Sequence, residues 1–494
     1  MTLFKKNMLL SISIVSLFLF SHPGTSFASR DIQNSIVKIY TTQNNPDYEN
    51  PWNKSTPELT GGTGCVIRGN YILTNAHVVS NQSFIQAQPH GKPTRYSARV
   101  AAVSHESDLA LLIVDDQTFY QDVDALELGE LPDMQQEVIV YGFPVGGDTL
   151  STTKGVVSRI EHQTYAHSGY EFLTVQIDAA INAGNSGGPV MTGNRIVGVV
   201  MQTLSDSENI GYIVPTPIIK HFLADLEDGQ YDGFPEDGAV MQTMENPGLR
   251  SKYGLGDKQA GVLISAVLPG SPALGKIFPG DVLLSVDGHD VADDGTVDFN
   301  PSGRTNLNHV IQMHQIDDRL KAEILREGET KQVEIKLSKE IGQFDLVHKE
   351  QYDVPPPYFI YGGLVFISLS DNYLKTWGEN WWSQAPSYLL AKTFALPTTE
   401  GEEVVVLSNV LPANVNVGYH EIGDYMISAV NGRKIHNLKE LVSEVERGSG
   451  EPFVSFIEET SGFEIVLDRN KAEQELDDIL QTYNVPSDRS AGMD

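Results

Sequence analysis

Short runs of alternating apolar and polar residues, separated by turn residues, dominate the chain from Ile32 to about Leu226. The runs Ser35–Tyr40 and Arg195–Val200 are typical, and a period of two predicts β-strands. Many short strands in one continuous stretch indicate two small β-barrels. Residues 42–60 interrupt the pattern, because they are polar, contain three prolines and predict a long loop.

Strand patterns return after an acidic boundary at residues 227–238, which contains Gly and Pro. Two later units share the signature Gly-Asp, an apolar run and Asp/Asn-Gly, at residues 280–288 and 423–432. This repeat indicates two diverged copies of one fold. The predicted parts are a signal peptide at 1–28, the double barrel at 29–230, one repeat unit at 233–340, a second at 355–470 with an aromatic-rich insertion at 371–400, and a charged helix with a loose end at 471–494.

The N-terminus has the pattern of a secretory signal peptide. Lys5 and Lys6 precede an apolar run at 8–20, and Ser26-Phe27-Ala28 has small residues where a signal peptidase would cut. We therefore expect cleavage near Ala28. The apolar run has thirteen residues, whereas a bilayer span needs about twenty. Retention as an anchor is thus the less favoured interpretation, and no stable membrane span is expected.

Composition narrows the class of protein. The chain has 494 residues, one cysteine and a formal charge of −31. The charge argues against nucleic-acid binding. One cysteine excludes an internal disulfide, and export without paired cysteines is typical of a bacterial periplasmic or secreted protein, which is the location we expect.

No metal or cofactor site is evident in the sequence. His162 and His167 lack a neighbouring Cys or acidic cluster and are interpreted as solvated loop residues. The Gly-rich run Gly254–Asp257 lacks the Lys and Ser/Thr of a phosphate-binding loop. We therefore expect neither a metal nor a cofactor.

The candidate chemistry lies in the run Gly184–Pro189, which reads Gly-Asn-Ser-Gly-Gly-Pro. A serine among small residues can occupy a tight turn, with its Oγ open and backbone N–H groups turned toward a developing oxyanion. These residue types are also ordinary in turns. The motif alone therefore leaves a purely structural turn as the alternative.

Two more residues have the types that a nucleophilic serine requires, a base and a carboxylate that orients it. His77 follows a predicted strand in Thr-Asn-Ala-His-Val-Val, and Asp108 precedes an apolar strand in Ser-Asp-Leu-Ala-Leu-Leu. The order His, Asp, Ser is that of two-barrel serine proteases. His105 lies near Asp108 but has polar neighbours, and is interpreted as a surface residue.

These three stretches resemble the catalytic signatures of the HtrA/Deg family, chymotrypsin-like serine proteases that carry C-terminal PDZ domains. The resemblance runs from residue 32 to about 470 and is strongest to the plant-type branch with two PDZ domains, through Pro46–Trp52, Asp293–Val297 and Asn416–Tyr419. It implies a mainly β fold: a chymotrypsin-like double β-barrel, then two PDZ domains that are small β-barrels with helices.

The resemblance assigns roles residue by residue. Ser186 would be the nucleophile, His77 the general base and then acid, and Asp108 the group that orients the imidazole. The N–H groups of Gly184 and Ser186, with Asn185 between them, would form the oxyanion hole.

The resemblance also implies binding sites. Ile181 and the strand after Gly198 would line the S1 pocket, and an isoleucine there without an acid implies a shallow apolar pocket for Val, Ala or Ile. In the second PDZ unit, a run after Tyr361 resembles a loop that binds a peptide carboxylate. That run consists of Gly362, Gly363, Leu364, Val365 and Phe366.

Family members form trimers and larger assemblies, so a homo-oligomer is expected. The loop 42–60, with Tyr48 and Trp52, is the candidate contact region, because aromatic residues exposed in a polar loop usually mark an interface. The alternative is that Trp52 folds back onto its own barrel.

The leading hypothesis is an exported, ATP-independent serine endopeptidase that cleaves unfolded or damaged proteins after small aliphatic residues, in protein quality control. Its partners would be misfolded proteins and peptides. The alternatives are a chaperone or peptide-binding scaffold with minor proteolysis, and a secreted protease with one specific target.

Overall fold

The computed structural model describes residues 32–203, 211–299, 303–448 and 450–493. The predicted signal peptide at 1–28 lies outside the described residues. Within the four described ranges, no helix combines the length and apolar character that crossing a membrane requires.

The first barrel is a closed antiparallel sheet in the order β1-β2-β3-β6-β5-β4. Its strands are β1 (Ile36–Gln43), β2 (Glu58–Ile67), β3 (Tyr71–Thr74), β4 (Gln82–Pro89), β5 (Tyr96–Ser104) and β6 (Leu109–Ile113). Inward-facing apolar side chains such as Ile39, Ile72 and Leu112 are fully buried. The one-turn helix α1 (Ala76–Val79) follows β3 directly.

The second barrel has the strand order β11-β8-β9-β10-β13-β12-β7, with a further β11–β12 pairing. Its strands are β7 (Glu127–Leu128), β8 (Glu137–Gly142), β9 (Ser151–Thr164), β10 (Glu171–Ile177), β11 (Pro189–Thr192), β12 (Arg195–Thr203) and β13 (Gly211–Pro215). Helix α2 (Thr216–Asp225) follows β13. One apolar core joins the two barrels, since it contains Leu73 and Leu111 of the first and Val140 and Phe172 of the second.

The first PDZ-like unit contains a five-strand path, β14-β15-β16-β20-β21, with β17 paired to β16 and a separate β18–β19 ladder. Its elements are β14 (Ala239–Gln242), α3 (Pro247–Lys252), β15 (Val262–Val267), β16 (Val282–Val286), β17 (His289–Asp290), β18 (Thr296–Phe299), β19 (Gly303–Asn306), α4 (Asn308–Gln312), β20 (Arg319–Arg326) and β21 (Glu329–Lys336).

The second PDZ-like unit has the strand order β22-β23-β24-β25-β27-β28, with β26 paired to β25. Its elements are β22 (Tyr358–Tyr361), β23 (Leu364–Ser368), α5 (Asp371–Leu374), α6 (Trp381–Gln384), α7 (Ser387–Leu390), β24 (Val405–Val410), β25 (Tyr425–Val430), β26 (Arg433–Lys434), α8 (Leu438–Arg447), β27 (Phe453–Glu458), β28 (Glu464–Asp468) and α9 (Arg469–Thr482).

The repeated sequence signature forms the same turn in both units. Asp287 and Gly288 have φ of +45° and +80°, and Asn431 and Gly432 have φ of +49° and +74°. Positive φ at both central residues is the geometry of a tight two-residue hairpin. The signature therefore corresponds to β16–β17 in one copy and β25–β26 in the other.

The predicted loop 42–60 begins and ends in the first barrel, because residues 42–43 belong to β1 and residues 58–60 to β2, and its middle part packs on the second PDZ-like unit. Tyr48 is buried and belongs to an apolar cluster of the second PDZ-like unit, and Trp52 packs edge-on against Tyr358 at 5.8 Å between ring centres. The side-chain amide of Asn409 also donates to the Glu49 carbonyl at 2.8 Å. The alternative that Trp52 folds back onto its own barrel is therefore wrong, and a role of this loop in oligomer contacts stays a prediction.

The C-terminal end is not loose, contrary to the prediction. After α9 the chain returns to β22, where the Ile360 N–H donates to the Asp488 carbonyl at 2.6 Å. The Ser490 N–H donates to the Tyr358 carbonyl at 3.1 Å. The tail thus lies beside the edge of β22 as an added strand.

A segment that we call the strap, residues 340–354, joins the two PDZ-like units and crosses the double barrel. The Tyr170 hydroxyl donates to the Asp345 carboxylate at 2.8 Å. Further along, the Gln351 N–H donates to the Asn372 side chain at 2.8 Å, which fixes the strap to α5. The strap therefore holds the second PDZ-like unit against the barrels.

Candidate active site

His77 and Asp108 meet where β3 and β6 bring their ends together. His77 Nδ1 lies 2.8 Å from Asp108 Oδ2 and 3.0 Å from Oδ1, and the His77 main-chain N–H donates to Oδ1 at 2.9 Å. Asp108 is buried, and its φ of +54° turns the chain sharply before β6. The carboxylate therefore fixes both the ring and the backbone of the histidine.

Electrostatics favour an ionised Asp108 beside a basic imidazole. Burial lowers the pKa of His77, but the charge and hydrogen bond of Asp108 raise it by more, so it lies above its usual range. Burial raises the pKa of Asp108, and the charge and hydrogen bonds of His77 bring it below its usual range. With Nδ1–H directed at the carboxylate, Nε2 is the nitrogen left to take a proton.

Ser186 is half-buried on the turn before β11, and its carbonyl accepts the Thr63 N–H at 2.8 Å. The Asn185 N–H bonds to the Asn182 carbonyl at 3.0 Å. In contrast, neither the Gly184 N–H nor the Ser186 N–H has an acceptor among the described residues. Nor does a hydrogen bond join Ser186 Oγ to His77 within the described chain, although such bonds are often long before substrate binds. Both N–H groups predicted for the oxyanion hole are thus unpaired among the described residues.

Thr63 holds the serine turn in place, a role that no motif indicated. Its hydroxyl donates to the Gly184 carbonyl at 2.8 Å and accepts the Phe143 N–H at 2.9 Å. It is fully buried on β2. This one side chain links the first barrel to the two segments of the second barrel that surround Ser186.

The two residues predicted for the S1 pocket are separated. The Ile181 side chain lies against Gly211, where its Cδ1 is 2.2 Å from the position that a Cβ would take. Gly211 pairs with Thr203, whereas Gly198 pairs with Pro215 at the other end of β13. Four residues of strand span about 13 Å, so Gly198 does not line the space beside Ile181.

Of two histidines that were expected to be exposed, His167 lies beside His77 and His105 lies beside His167. His167 is buried with its ring centre 6.1 Å from that of His77, and its Nε2 is 3.0 Å from His105 Nδ1. Tyr352 of the strap stacks on His167 with 3.9 Å between the ring centres. The Oδ2 atom of Asp353 lies 2.9 Å from His105 Nε2. Burial lowers the pKa of His167 to about 3. His167 is therefore not a solvated loop residue and His105 is half-buried, and only the closeness of His105 to Asp108 in sequence hinted at their position.

His162 also departs from the expectation of a solvated loop residue. It lies on β9, and both of its ring nitrogens are buried and unpaired among the described residues. The centre of its ring is 5.8 Å from the centre of the His309 ring. Burial lowers the pKa of His162 to about 3, so it is neutral at physiological pH. Across the described ranges, no three His, Cys, Asp or Glu side chains are grouped as metal ligands.

A cleft of about 670 Å³ opens beside His77. One wall is the long loop with Tyr48, a second is the strap with Glu350 and Tyr352, and a third is α5 with Asn372. The surroundings of His77 are therefore built by three separate parts of the chain.

The predicted carboxylate-binding loop is a closed hairpin. Gly362 and Gly363 have φ of +55° and +83°, and the buried Asn416 amide donates to the Gly362 carbonyl at 2.8 Å. The following residues, Leu364, Val365 and Phe366, are in the core, and β23 is paired on both sides. The run is thus a buried turn followed by a core strand whose two edges are both paired, and its binding of a peptide carboxylate stays a prediction.

Family models match three parts of the chain. A trypsin-like peptidase domain matches residues 62–199, and PDZ domains match residues 241–337 and 347–492. Together they confirm the predicted combination of a chymotrypsin-like double barrel with two PDZ domains.

Relatives align over most of the chain. The chain is 38% identical to "Putative protease Do-like 3, mitochondrial" of Arabidopsis thaliana, over 94% of this chain and 83% of the relative. It is 36% identical to "Protease Do-like 2, chloroplastic" of the same plant, over 93% of this chain and 75% of the relative. Among solved structures, a variant of the HtrA-type protease AlgW with a decapeptide has a TM-score of 0.50 at 23% identity, covering 62% of this chain and 94% of the other, and shows the same fold.

These relatives overturn one expectation. Those that align over nine-tenths of the chain include proteins named as mitochondrial or chloroplastic, so the predicted bacterial periplasmic or secreted location is wrong. The other conclusion from the motifs is confirmed by the relatives and the family models together: the chain belongs to the HtrA/Deg family of Do-like serine proteases, in its plant-type branch with two PDZ domains.

Proposed function

We propose that this protein is an ATP-independent serine endopeptidase in which Ser186, His77 and Asp108 form the catalytic triad. The observation that carries the proposal is the contact of both Asp108 carboxylate oxygens with His77 Nδ1, at 2.8 and 3.0 Å. That contact leaves Nε2, with its basic lone pair, on the side of the ring away from Asp108, free to accept a serine proton.

The reaction follows from these positions. Ser186 Oγ attacks the scissile carbonyl carbon while its proton passes to His77 Nε2, and the carbonyl oxygen becomes an oxyanion. The unpaired N–H groups of Gly184 and Ser186, on either side of Asn185, supply two donors for that oxyanion. His77 then returns the proton to the leaving amine, and a water molecule hydrolyses the acyl-enzyme by the same steps.

The preferred residue before the scissile bond is small and aliphatic. Ile181 fills the space above Gly211, and a pocket with an isoleucine wall at this position is shallow and apolar. A Val, Ala or Ile side chain buries its surface there, whereas an aromatic side chain would overlap Ile181.

The proposed substrates are unfolded or damaged proteins, degraded in protein quality control within an organelle. The names of the mitochondrial and chloroplastic relatives support the location. We further propose that the protein works as a homo-oligomer built from trimers, which mass photometry of the purified protein would test.

The test of the proposed function is cleavage of β-casein, an unfolded model substrate, without ATP. We expect the wild-type protein to produce fragments that end in Val, Ala or Ile, and Ser186→Ala to produce none. Thr41→Val serves as the matched control, because Thr41 is buried in the same barrel and its hydroxyl has no partner in the described chain. Cleavage by Ser186→Ala at the wild-type rate would refute the assignment.

A second candidate function, holding unfolded chains without cleaving them, is favoured by one observation. The insertion at 371–400 exposes Trp382 by 61%, Phe394 by 88% and Leu396 by 46%. Exposed apolar groups of this size commonly bind other chains. Ser186→Ala protein should then suppress aggregation of a denatured client, and Phe394→Ser should weaken that effect. Equal aggregation with and without Ser186→Ala protein would exclude this function.

A further inference from the structure

The residue before α1 makes an unusual contact. Asn75 occupies the N-cap position and is fully buried. An asparagine there ordinarily accepts a hydrogen bond from the second or third helical N–H. Asn75 makes no such bond, and its side-chain amide donates instead to the main-chain carbonyl of Asp108 at 2.8 Å.

The missing capping bond is supplied by Asp108. His77 is the second residue of α1, and its N–H donates to Asp108 Oδ1 at 2.9 Å. The carboxylate thus caps a helix that lies 31 residues earlier in the chain, while the residue at the cap position holds the carboxylate's own backbone. Asp108 thus caps the helix in place of Asn75, and Asn75 binds the backbone of Asp108.

This exchange matters because Asp108 has a disfavoured backbone. Its φ of +54° is in the left-handed region, which an aspartate tolerates better than most residues but which still has an energetic cost that local hydrogen bonds can offset. The Asn75 side-chain amide restrains that residue directly, because it donates a hydrogen bond to the Asp108 carbonyl. Asn75 Oδ1 is also buried and has no partner among the described residues, so the donor end of the side chain is the end in use.

We propose that Asn75 is a positioning residue for the catalytic triad, which fixes the backbone of Asp108 so that both carboxylate oxygens face His77. The inference rests on the proposed function of Ser186, His77 and Asp108. Without the Asn75 donor, the Asp108 turn relaxes and the carboxylate moves relative to the imidazole. A displacement of about 1 Å in a catalytic group can reduce the rate by about 100-fold.

Two variants and one control test this role. Asn75→Ala removes the donor, and Asn75→Leu removes it while keeping a side chain of similar length, so that one variant remains if the other does not fold. Thr41→Val is the control for changing a buried polar residue of the same barrel. The measurements are kcat, KM and the pH profile of kcat/KM with a peptide cleaved by the wild type, together with the unfolding temperature.

We expect kcat to fall 10- to 100-fold in either Asn75 variant, with KM within about twofold of wild type. The midpoint of the acid limb should move to lower pH, because a displaced Asp108 no longer raises the pKa of His77 as far. Wild-type kcat and midpoint in a folded Asn75 variant would overturn the inference, as would an equal loss in Thr41→Val. An inactive wild-type protein would instead refute the proposed function itself.

Discussion

Replacing Gly184 by alanine tests whether the backbone at this position serves the reaction. Gly184 has φ of +93°, a conformation that L residues with a side chain rarely adopt. A Cβ would lie 2.4 Å from the Phe143 carbonyl oxygen and 2.7 Å from the Val145 nitrogen. Those atoms cannot withdraw easily, because the Val145 N–H is bonded to the Ala183 carbonyl at 2.7 Å.

The expected outcome is that the Gly184 peptide rotates and its N–H leaves the oxyanion position. Loss of one such donor typically lowers kcat by 10²–10³, which corresponds to about 2.7–4 kcal/mol of transition-state stabilisation. KM should change little, because the oxyanion exists only after attack by Ser186. Steady-state hydrolysis of a peptide ending in valine before the scissile bond would measure both constants.

Gly193→Ala is the matched control. Gly193 also has positive φ, +57°, and lies in the same barrel, but a Cβ there meets nothing within 4 Å. It therefore carries a similar conformational cost without the clash. If Gly184→Ala retains kcat within threefold of wild type, or if Gly193→Ala loses as much, the reasoning about the oxyanion donor is refuted.

Three further outcomes follow from contacts described above. Because His77 must be neutral to act as base and its pKa is raised by Asp108, kcat/KM should rise with pH to a midpoint above about 6.5, and a midpoint below about 6 would contradict this. Asp353→Ala removes the acceptor of His105 Nε2, so hydrogen exchange at 345–354 should quicken while unfolding loses less than about 1 kcal/mol; unchanged exchange would show that the strap is held elsewhere. Asn416→Ala leaves the Gly362 carbonyl unpaired and should lower stability by about 1–3 kcal/mol, a prediction that fails if calorimetry finds no change in the unfolding temperature.

The sequence was informative wherever a function depends on local chemistry. The motifs around His77, Asp108 and Ser186 and the repeated hairpin signature each consist of a few neighbouring residues. A local pattern can therefore predict them. Contacts between distant segments produce no local sequence pattern of this kind. Thr63, His167 and the strap act through pairs that only the fold brings together, and a buried histidine has the same letter as a solvated one.

The surroundings of the PDZ loop and of the long loop could not be predicted, for a related reason. The run Gly362–Phe366 has the composition of a carboxylate loop, and only the fold brings the Asn416 amide to the Gly362 carbonyl. Tyr48 stands in a polar stretch, which suggested exposure, yet its ring is buried in an apolar cluster whose other buried members lie between Leu346 and Val485. In both cases a second segment, remote in sequence, decides what covers the first.

The burial of Tyr48 in the second PDZ domain has a consequence for the stage of synthesis at which the cleft is completed. The Glu49–Asn409 hydrogen bond joins residues 360 positions apart, and the Asp353–Asn81 bond joins residues 272 apart. Synthesis proceeds at about 5–20 residues per second, so the protease barrels leave the ribosome well before the segment that covers this loop. Until the second PDZ domain is made, the nascent chain has an uncovered aromatic loop and an unfinished wall beside His77. The last-made domain thus completes the surroundings of a catalytic residue near the start of the chain, and the complete cleft is a property of the finished polypeptide alone.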